Sequence, residues 1–81
     1  MLGIVKGLSR NKQRVAVLTD YGYTIFDIED GEVSMGDEII GSLNDHGSQN
    51  LTNQTTRQQL SVYVEAIEAT PSAAQNLLSN I

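Results

Sequence analysis

Basic side chains near the start of the chain are the residues best suited to binding chemistry. Four of the five Lys and Arg residues lie within the first 14 positions, whereas the ten acidic residues all lie from Asp20 onward. Because Lys and Arg attract phosphates and carboxylates, this separation predicts one basic end on a largely acidic molecule. The early cations are Lys6, Arg10, Lys12 and Arg14.

Two aromatic residues and one later cation extend this group. Tyr21 and Tyr23 offer rings that can stack on nucleobases for about 1–3 kcal/mol per base. The predicted binding surface comprises Lys6, Arg10, Lys12, Arg14, Tyr21, Tyr23 and Arg57. The alternative interpretation is that a hairpin tip rich in Lys and Arg only keeps its loop solvated.

Catalytic residues are not indicated by the sequence. His46 follows Asp45 in a polar segment, but sequence neighbours in a loop do not set the geometry of a base, its orienting carboxylate and a nucleophile. The Gly-x-Ser-x-Gly elbow that presents a nucleophilic serine does not occur in the sequence. We therefore expect no enzymatic activity, and we interpret His46 as an exposed loop residue.

Metal and cofactor motifs also fail when they are checked position by position. If Asp27 were the first ligand of an EF-hand loop, Glu32 would occupy the position that requires glycine. The seven glycines never form a phosphate-binding loop followed by Lys and Ser or Thr, and there is no cysteine to ligate a metal. We expect neither metal nor cofactor, and a solvated acidic face between positions 27 and 38.

Length and charge limit the class of protein. The 81 residues are expected to form a single domain, 1–81, with a thin core. A net charge of −5 disfavours general binding to a phosphate backbone. The opening residues lack the basic and apolar regions of a signal peptide, and no apolar run reaches the roughly 20 residues of a membrane span. The expectation is a cytoplasmic protein without membrane contact.

Alternating apolar residues and turn signals predict five strands, at residues 2–8, 14–19, 23–28, 38–43 and 60–67. In the first, Leu2, Ile4 and Leu8 are expected to share one face with Lys6, which would emerge at a barrel rim or past a bend at Gly7.

Residues 44–59 are almost entirely polar. This composition predicts either a long mobile loop or a loop that carries a short edge strand around Leu51, its single apolar residue.

A helix is predicted over residues 71–81, with Thr70 as N-cap and Pro71 at the first helical position. Its apolar stripe comprises Ala74, Leu77, Leu78 and Ile81. A helix of about eleven residues is marginal in water, so the stripe must be covered. The cover is either the open end of its own barrel, over Phe26 and Ile28, or a neighbouring molecule; the short connection favours its own barrel.

The order of these elements resembles an OB barrel. The resemblance is carried by three strands in a meander, the turn Met35-Gly36-Asp37-Glu38 before an apolar strand, a variable segment and a closing strand. The chain is also similar to small uncharacterised bacterial proteins that share Gly3–Gly7, Gly22–Phe26 and Leu51–Asn53 followed by Val62–Val64. These resemblances imply a mostly β fold: a small five-stranded antiparallel OB-like barrel over residues 1–68, with a short C-terminal helix.

Two hypotheses about function follow. The first is a non-catalytic binding or structural module whose partner is another protein or a second copy of the chain. The alternative, implied by the OB resemblance, is a domain that binds single-stranded nucleic acid through the basic loop at residues 9–14.

Overall fold

Three consecutive strands form in the first half of the chain because β-branched and aromatic residues alternate along them and polar or glycine-containing turns separate them. In the computed structural model, which describes residues 1–79, three further strands close the sheet into a barrel and one helix follows. The elements are β1 Leu2–Leu8, β2 Arg14–Thr19, β3 Gly22–Asp30, β4 Glu38–Ile40, β5 Gly47–Asn53, β6 Gln58–Ala69 and α1 Pro71–Ser79.

The prediction of a mostly β, closed antiparallel barrel with a short C-terminal helix is confirmed, with six strands where five were expected. The strand order is β1-β2-β3-β6-β5-β4, and β4 pairs with β1 to close the barrel. Asn80 and Ile81, the last two residues of the predicted helix, lie outside the described residues. Among residues 1–79, no helix has the length and apolar character needed to cross a membrane.

The barrel interior is filled by apolar side chains from all six strands and from one loop. Phe26 is its largest member and is fully buried. The remaining buried members of this cluster are Val5, Val15, Val17, Ile28, Ile39, Leu43, Leu51, Leu60, Val62 and Val64. Since each strand contributes alternate residues to this interior, the other residues of the same strands face outward.

The prediction that Leu2, Ile4 and Leu8 share one face of β1 is wrong. Val5 points into the barrel, so Leu2 and Ile4 face outward. The pairing of β1 with β2 shifts between Val5 and Gly7, which makes Lys6 the extra residue of a β-bulge. The bulge resets the alternation, and Leu8 therefore packs against the interior cluster.

The predicted strand at 38–43 is shorter than expected, because β4 ends at Ile40. Gly41 has a φ of 146° there, and the chain turns away from the sheet. Leu43 then inserts into the interior from the loop and is fully buried. The hydroxyl of Thr24 donates to the backbone carbonyl of Leu43 at 2.6 Å, and this hydrogen bond holds Leu43 in the interior.

The prediction of a long loop over 44–59 is wrong, and the edge-strand alternative describes only part of the segment. β5 occupies residues 47–53, pairs with β6 along its whole length, and pairs with β4 at its last two residues. Leu51 and Asn53 point inward and are buried, whereas Asn50 faces outward. The inward row is mostly polar, which is why composition indicated a loop.

A buried polar pair links the end of β5 to the turn before β4. The Asn53 amide donates to the Asp37 carboxylate at 2.8 Å, and the same oxygen accepts from the Ser34 backbone at 2.9 Å. The side-chain oxygen of Asn53, Oδ1, accepts from the backbone N–H groups of Thr55 and Thr56, at 3.1 and 3.3 Å. Asn53 thereby holds two turns together.

The helix lies on its own barrel, but on the outside rather than over an open end. Thr70 caps it, since its hydroxyl accepts from the Ala73 N–H at 3.1 Å, and Pro71 is the first helical residue, as predicted. Phe26 and Ile28 belong to the interior and do not receive the helix. Its apolar side instead joins a second cluster made of Ala16, Ile25, Ala74, Tyr23, Ala66, Leu77 and Leu78.

Truncation of Val64 to Ala should lower the free energy of unfolding by about 1–3 kcal/mol, because it removes buried methyl groups and leaves a cavity. Val64 is 1% exposed and points inward from β6. Urea denaturation measures the change. The matched control is Ser61→Ala on the outer side of the same strand, which should change stability by less than about 0.5 kcal/mol. Equal midpoints for Val64→Ala and the parent would contradict the interior assignment.

Replacement of Asn53 by Ala should cost about 1–3 kcal/mol, because the Asp37 carboxylate and two backbone N–H groups lose their partner. Asn50→Ala, at an exposed position of the same strand, is the control and should be near neutral. If both alanine variants unfold at the same urea concentration, the buried pair does not stabilise the fold.

Candidate functional site

Arg14, predicted as part of the binding surface, is instead committed to the fold. It pairs across β2 and β3 with Asp27, which receives two guanidinium hydrogen bonds, at 2.7 and 3.0 Å. A third nitrogen donates to the backbone carbonyl of Leu77 in the last turn of α1 at 3.3 Å. Glu65 on β6 lies 3.6 Å from the same guanidinium. The side chain is 15% exposed, and each of its three guanidinium nitrogens already donates a hydrogen bond within the fold.

The titration of Asp27 reflects this pairing. Hydrogen bonding from Arg14 lowers the pKa of the Asp27 carboxyl below its ordinary value of 3.8, against the opposing effect of burial. The pKa of Arg14 is correspondingly raised, chiefly by the hydrogen bond to Asp27. Both directions agree, and both show that the charged pair is the stable form in the folded protein.

Lys6 and Tyr23 meet in a groove between β1 and α1. A cavity of about 340 Å³ is lined there by Lys6, Gly7, Ala16, Tyr23, Pro71, Ala74, Gln75 and Leu78. The bulge turns Lys6 toward the helix, and Gly7 permits close approach, since a Cβ at Gly7 would lie 2.7 Å from a Leu78 methyl carbon. Tyr23 is half-buried in the groove wall.

Arg10 continues the groove toward the end of the helix. A second cavity, of about 410 Å³, is lined by Leu8, Ser9, Arg10, Gln75, Leu78 and Ser79. Gln75 and Leu78 line both cavities, so the two form one groove along the helix, which we name the α1 groove. Among residues 1–79, Lys6 and Arg10 are the only charged residues that line it, and α1 carries no charge between Pro71 and Ser79.

Lys12 and Arg57 lie outside this groove. Each has a positive φ, 62° for Lys12 and 61° for Arg57, in an exposed turn at the same end of the barrel. Acidic residues are interspersed there. Glu32 lines a cavity with Lys12, and Glu29 and Asp30 line a second cavity at the same end of the barrel. The predicted basic end is therefore of mixed charge, because β3 brings its acidic end to it.

Tyr21 does not join the other predicted residues. It lies in the β2–β3 turn, at the opposite end of β2 from the basic loop, and is 68% exposed. The structure thus groups Lys6, Arg10 and Tyr23, and it separates Lys12, Tyr21 and Arg57 from them.

An exposed apolar face adjoins the α1 groove. Leu2 pairs with Ile40 across β1 and β4, and Ile4 pairs with Leu18 across β1 and β2. All four side chains point outward; Leu2 is 51% exposed, and Leu18 and Ile40 are each 38% exposed. Along β1 the outward row continues from Leu2 and Ile4 to Lys6, so this apolar face leads directly into the groove.

The apolar face was not predicted from the sequence, although a signal for it exists. Val17 and Leu18 are consecutive, as are Ile39 and Ile40, so each strand carries apolar residues on both of its faces. Only one member of each pair can enter a barrel interior. The outward member must be covered by another element or stay exposed. The helix α1 covers Ala16 and Ile25, whereas Leu18 and Ile40 are exposed.

Within residues 1–79, no group of three or more His, Asp and Glu side chains is arranged to hold a metal ion. His46 and Asp45 are exposed in the loop between β4 and β5. No family model, no curated protein and no solved structure matches this chain.

Replacement of Arg14 by Met should release the C-terminal turn of α1 and lower the free energy of unfolding by about 1–3 kcal/mol at neutral pH. Lys12→Met, an exposed cation in the adjacent loop, is the control.

The difference in stability between the parent and Asp27→Asn should also depend on pH. Because folding lowers the pKa of Asp27, its contribution is present above the ordinary value of 3.8 and is lost as the pH falls further. Thermal melts from neutral pH into the acid range measure both effects; a difference that grows on acidification would contradict this pairing.

Proposed function

We propose that this chain is a non-catalytic protein-interaction module whose binding surface is the exposed apolar face of Leu2, Ile4, Leu18 and Ile40. The observation that carries the proposal is the adjacency of these four side chains across three neighbouring strands. Single exposed apolar residues are ordinary on protein surfaces, but contiguous ones favour an interaction site. The face lies on paired strands of a closed sheet, so little conformational freedom of the backbone is lost when a partner binds.

The partner that we propose is a different protein rather than a second copy. Each copy carries a net charge of −5, so two copies repel each other as they approach. Glu38 lies opposite Ile4 on β4, at the margin of the face. A two-fold dimer through this face would bring the Glu38 side chains of both copies to the same interface, where they would repel each other. An unrelated partner need not carry an acid at that position.

The alternative function is binding of single-stranded nucleic acid by an OB-like barrel. Its support is the initial three-stranded meander and the basic loop between β1 and β2. Against it, Arg14 is occupied by Asp27, and acids accompany Lys12 at its end of the barrel. Tyr21 cannot join the basic loop, because the two lie at opposite ends of β2. Protein binding is therefore the function that the geometry favours.

Photo-crosslinking tests the proposed surface. Benzoylphenylalanine at Leu18 should give a saturable crosslink to another protein in the native lysate, which mass spectrometry then identifies. The same amino acid at Tyr63, which is 44% exposed on β6 and remote from the face, is the control. Calorimetry with the purified partner should then show at least about a tenfold weaker Kd for Leu18→Glu than for the parent, because a charge is buried at the centre of the contact.

Tyr63→Ser should bind the partner like the parent, and circular dichroism should show that each variant remains folded. Equal crosslinking from Leu18 and Tyr63 would contradict the proposed surface. A crosslink from Leu18 to a second copy would contradict the proposed occupant. Retained affinity in Leu18→Glu would show that the partner binds elsewhere.

A further inference from the structure

We infer that the protein segment bound at the apolar face carries carboxylate side chains that lie in the α1 groove against Lys6 and Arg10. This inference rests on the proposed function and specifies the chemistry of the partner. It describes one continuous surface, in which an apolar half on β4, β1 and β2 leads along β1 into a cationic half beside the helix.

The charge of the groove is the first reason. Lys6 and Arg10 line its two cavities, and no acidic side chain from the described part of the chain lines either of them. Within residues 1–79, the ion pairs of the structure are those of Arg14, so neither groove cation is neutralised by an acid of its own chain. A groove with two unpaired cations in a molecule of net charge −5 is a local exception that attracts carboxylates.

Continuity with the apolar face is the second reason. Lys6 follows Ile4 by two positions in the outward row of β1, a distance of about 7 Å at the rise of an extended strand. An extended segment that lies along β1 therefore contacts Leu2 and Ile4 first and Lys6 next. Arg10 lies beyond Lys6, where the groove continues past Gln75 and Leu78.

The position of Glu38 determines on which side of β1 the carboxylates of the bound segment lie. Glu38 lies opposite Ile4 on the β4 side, whereas Lys6 faces the helix side. A carboxylate placed toward β4 would be repelled, and one placed toward α1 would be attracted. The acidic residues of the partner therefore lie on the α1 side of β1, away from Glu38.

Nucleic acid fits the groove less well than an acidic peptide. Two cations neutralise few phosphates, and the ring of Tyr23 is packed against the helix cluster instead of standing free for stacking. Apolar residues, Leu8 and Leu78, also line the groove and suit the aliphatic parts of a peptide.

Selection from a phage-displayed library of random peptides, about twelve residues long, tests the inference on the full chain. A peptide of that length spans β1 and the groove in an extended conformation. The selected sequences should combine apolar residues with at least two Asp or Glu. One selected peptide is then synthesised, and fluorescence anisotropy at low ionic strength measures its Kd.

The double variant Lys6→Glu, Arg10→Glu should weaken this peptide about tenfold or more, because two attractive charge pairs become repulsive. Lys12→Glu, which changes the net charge in the same direction outside the groove, should weaken it less than about threefold. Amide shifts on titration should include Lys6, Gly7, Arg10 and Gln75. Thermal melts show that the variants remain folded.

The other outcomes separate this inference from the proposed function. Selected peptides that lack acids, or that are weakened by Leu18→Glu but not by the groove variant, would overturn the inference and leave the apolar face intact. Peptides that are insensitive to Leu18→Glu, or an absence of any selected peptide, would overturn the proposed function. Competition by a short oligothymidylate, lost steeply with added salt, would assign the groove to nucleic acid and overturn the inference.

Discussion

One guanidinium group connects the C-terminal turn of α1 to the barrel. The helix carries no charged residue of its own, so neither of its ends has a compensating side chain for the helix dipole. Arg14 supplies the cation at the C-terminal end from outside the helix, through its hydrogen bond to the Leu77 carbonyl. Asp27 holds that guanidinium in place by two hydrogen bonds. This arrangement anchors the C-terminal turn of the helix, while the apolar cluster packs its side against the barrel. The ion pair is therefore structural and also supports one end of the α1 groove.

A single inserted residue in β1 determines how the barrel presents its two surfaces. Without the bulge, strict alternation from Val5 would turn Gly7 inward and Leu8 outward. The insertion at Lys6 places Gly7 on the outside, directly under Leu78, and returns Leu8 to the interior. The absence of a side chain at Gly7 lets the helix approach, while the bulged Lys6 is directed to the rim of the groove. Packing of the helix and exposure of a cation thus have the same local cause.

Local patterns were sufficient to predict the elements with strong alternation. β1 and β2 have the predicted bounds, and the N-terminal cap of α1 is the predicted one, because each depends on residues that are adjacent in sequence. β5 was predicted only in part, as a short edge strand around Leu51 in one of two alternatives, because its inward row includes Asn53, whose burial is favourable only when Asp37 accepts its hydrogen bond. Asp37 lies in a turn that is distant in sequence, so the composition of residues 44–59 does not indicate this hydrogen bond.

The same limit applies to the candidate site. The chemical type of Lys6, Arg10 and Tyr23 makes them candidates, and the structure brings them to one groove. Arg14 is a candidate on the same grounds, but the register of β2 against β3 places it opposite Asp27. Register is set by turn length and by the pattern of inward residues, so a one-residue shift would have separated the pair and left Arg14 free. Residue type therefore identified cations, and topology decided which of them remain free to bind.

The contrast between the acidic molecule and its cationic groove also constrains how salt acts on binding. An acidic peptide is repelled by the net charge of −5 at long range and attracted by Lys6 and Arg10 at short range. Added salt screens both effects, with a Debye length of about 8 Å at physiological ionic strength, so the two changes oppose each other. Nucleic acid binding has an additional contribution, the release of counterions condensed on the phosphate backbone, and this always weakens binding as salt rises. A shallow salt dependence is therefore the physical signature of carboxylates in the groove, and a steep one is the signature of phosphates.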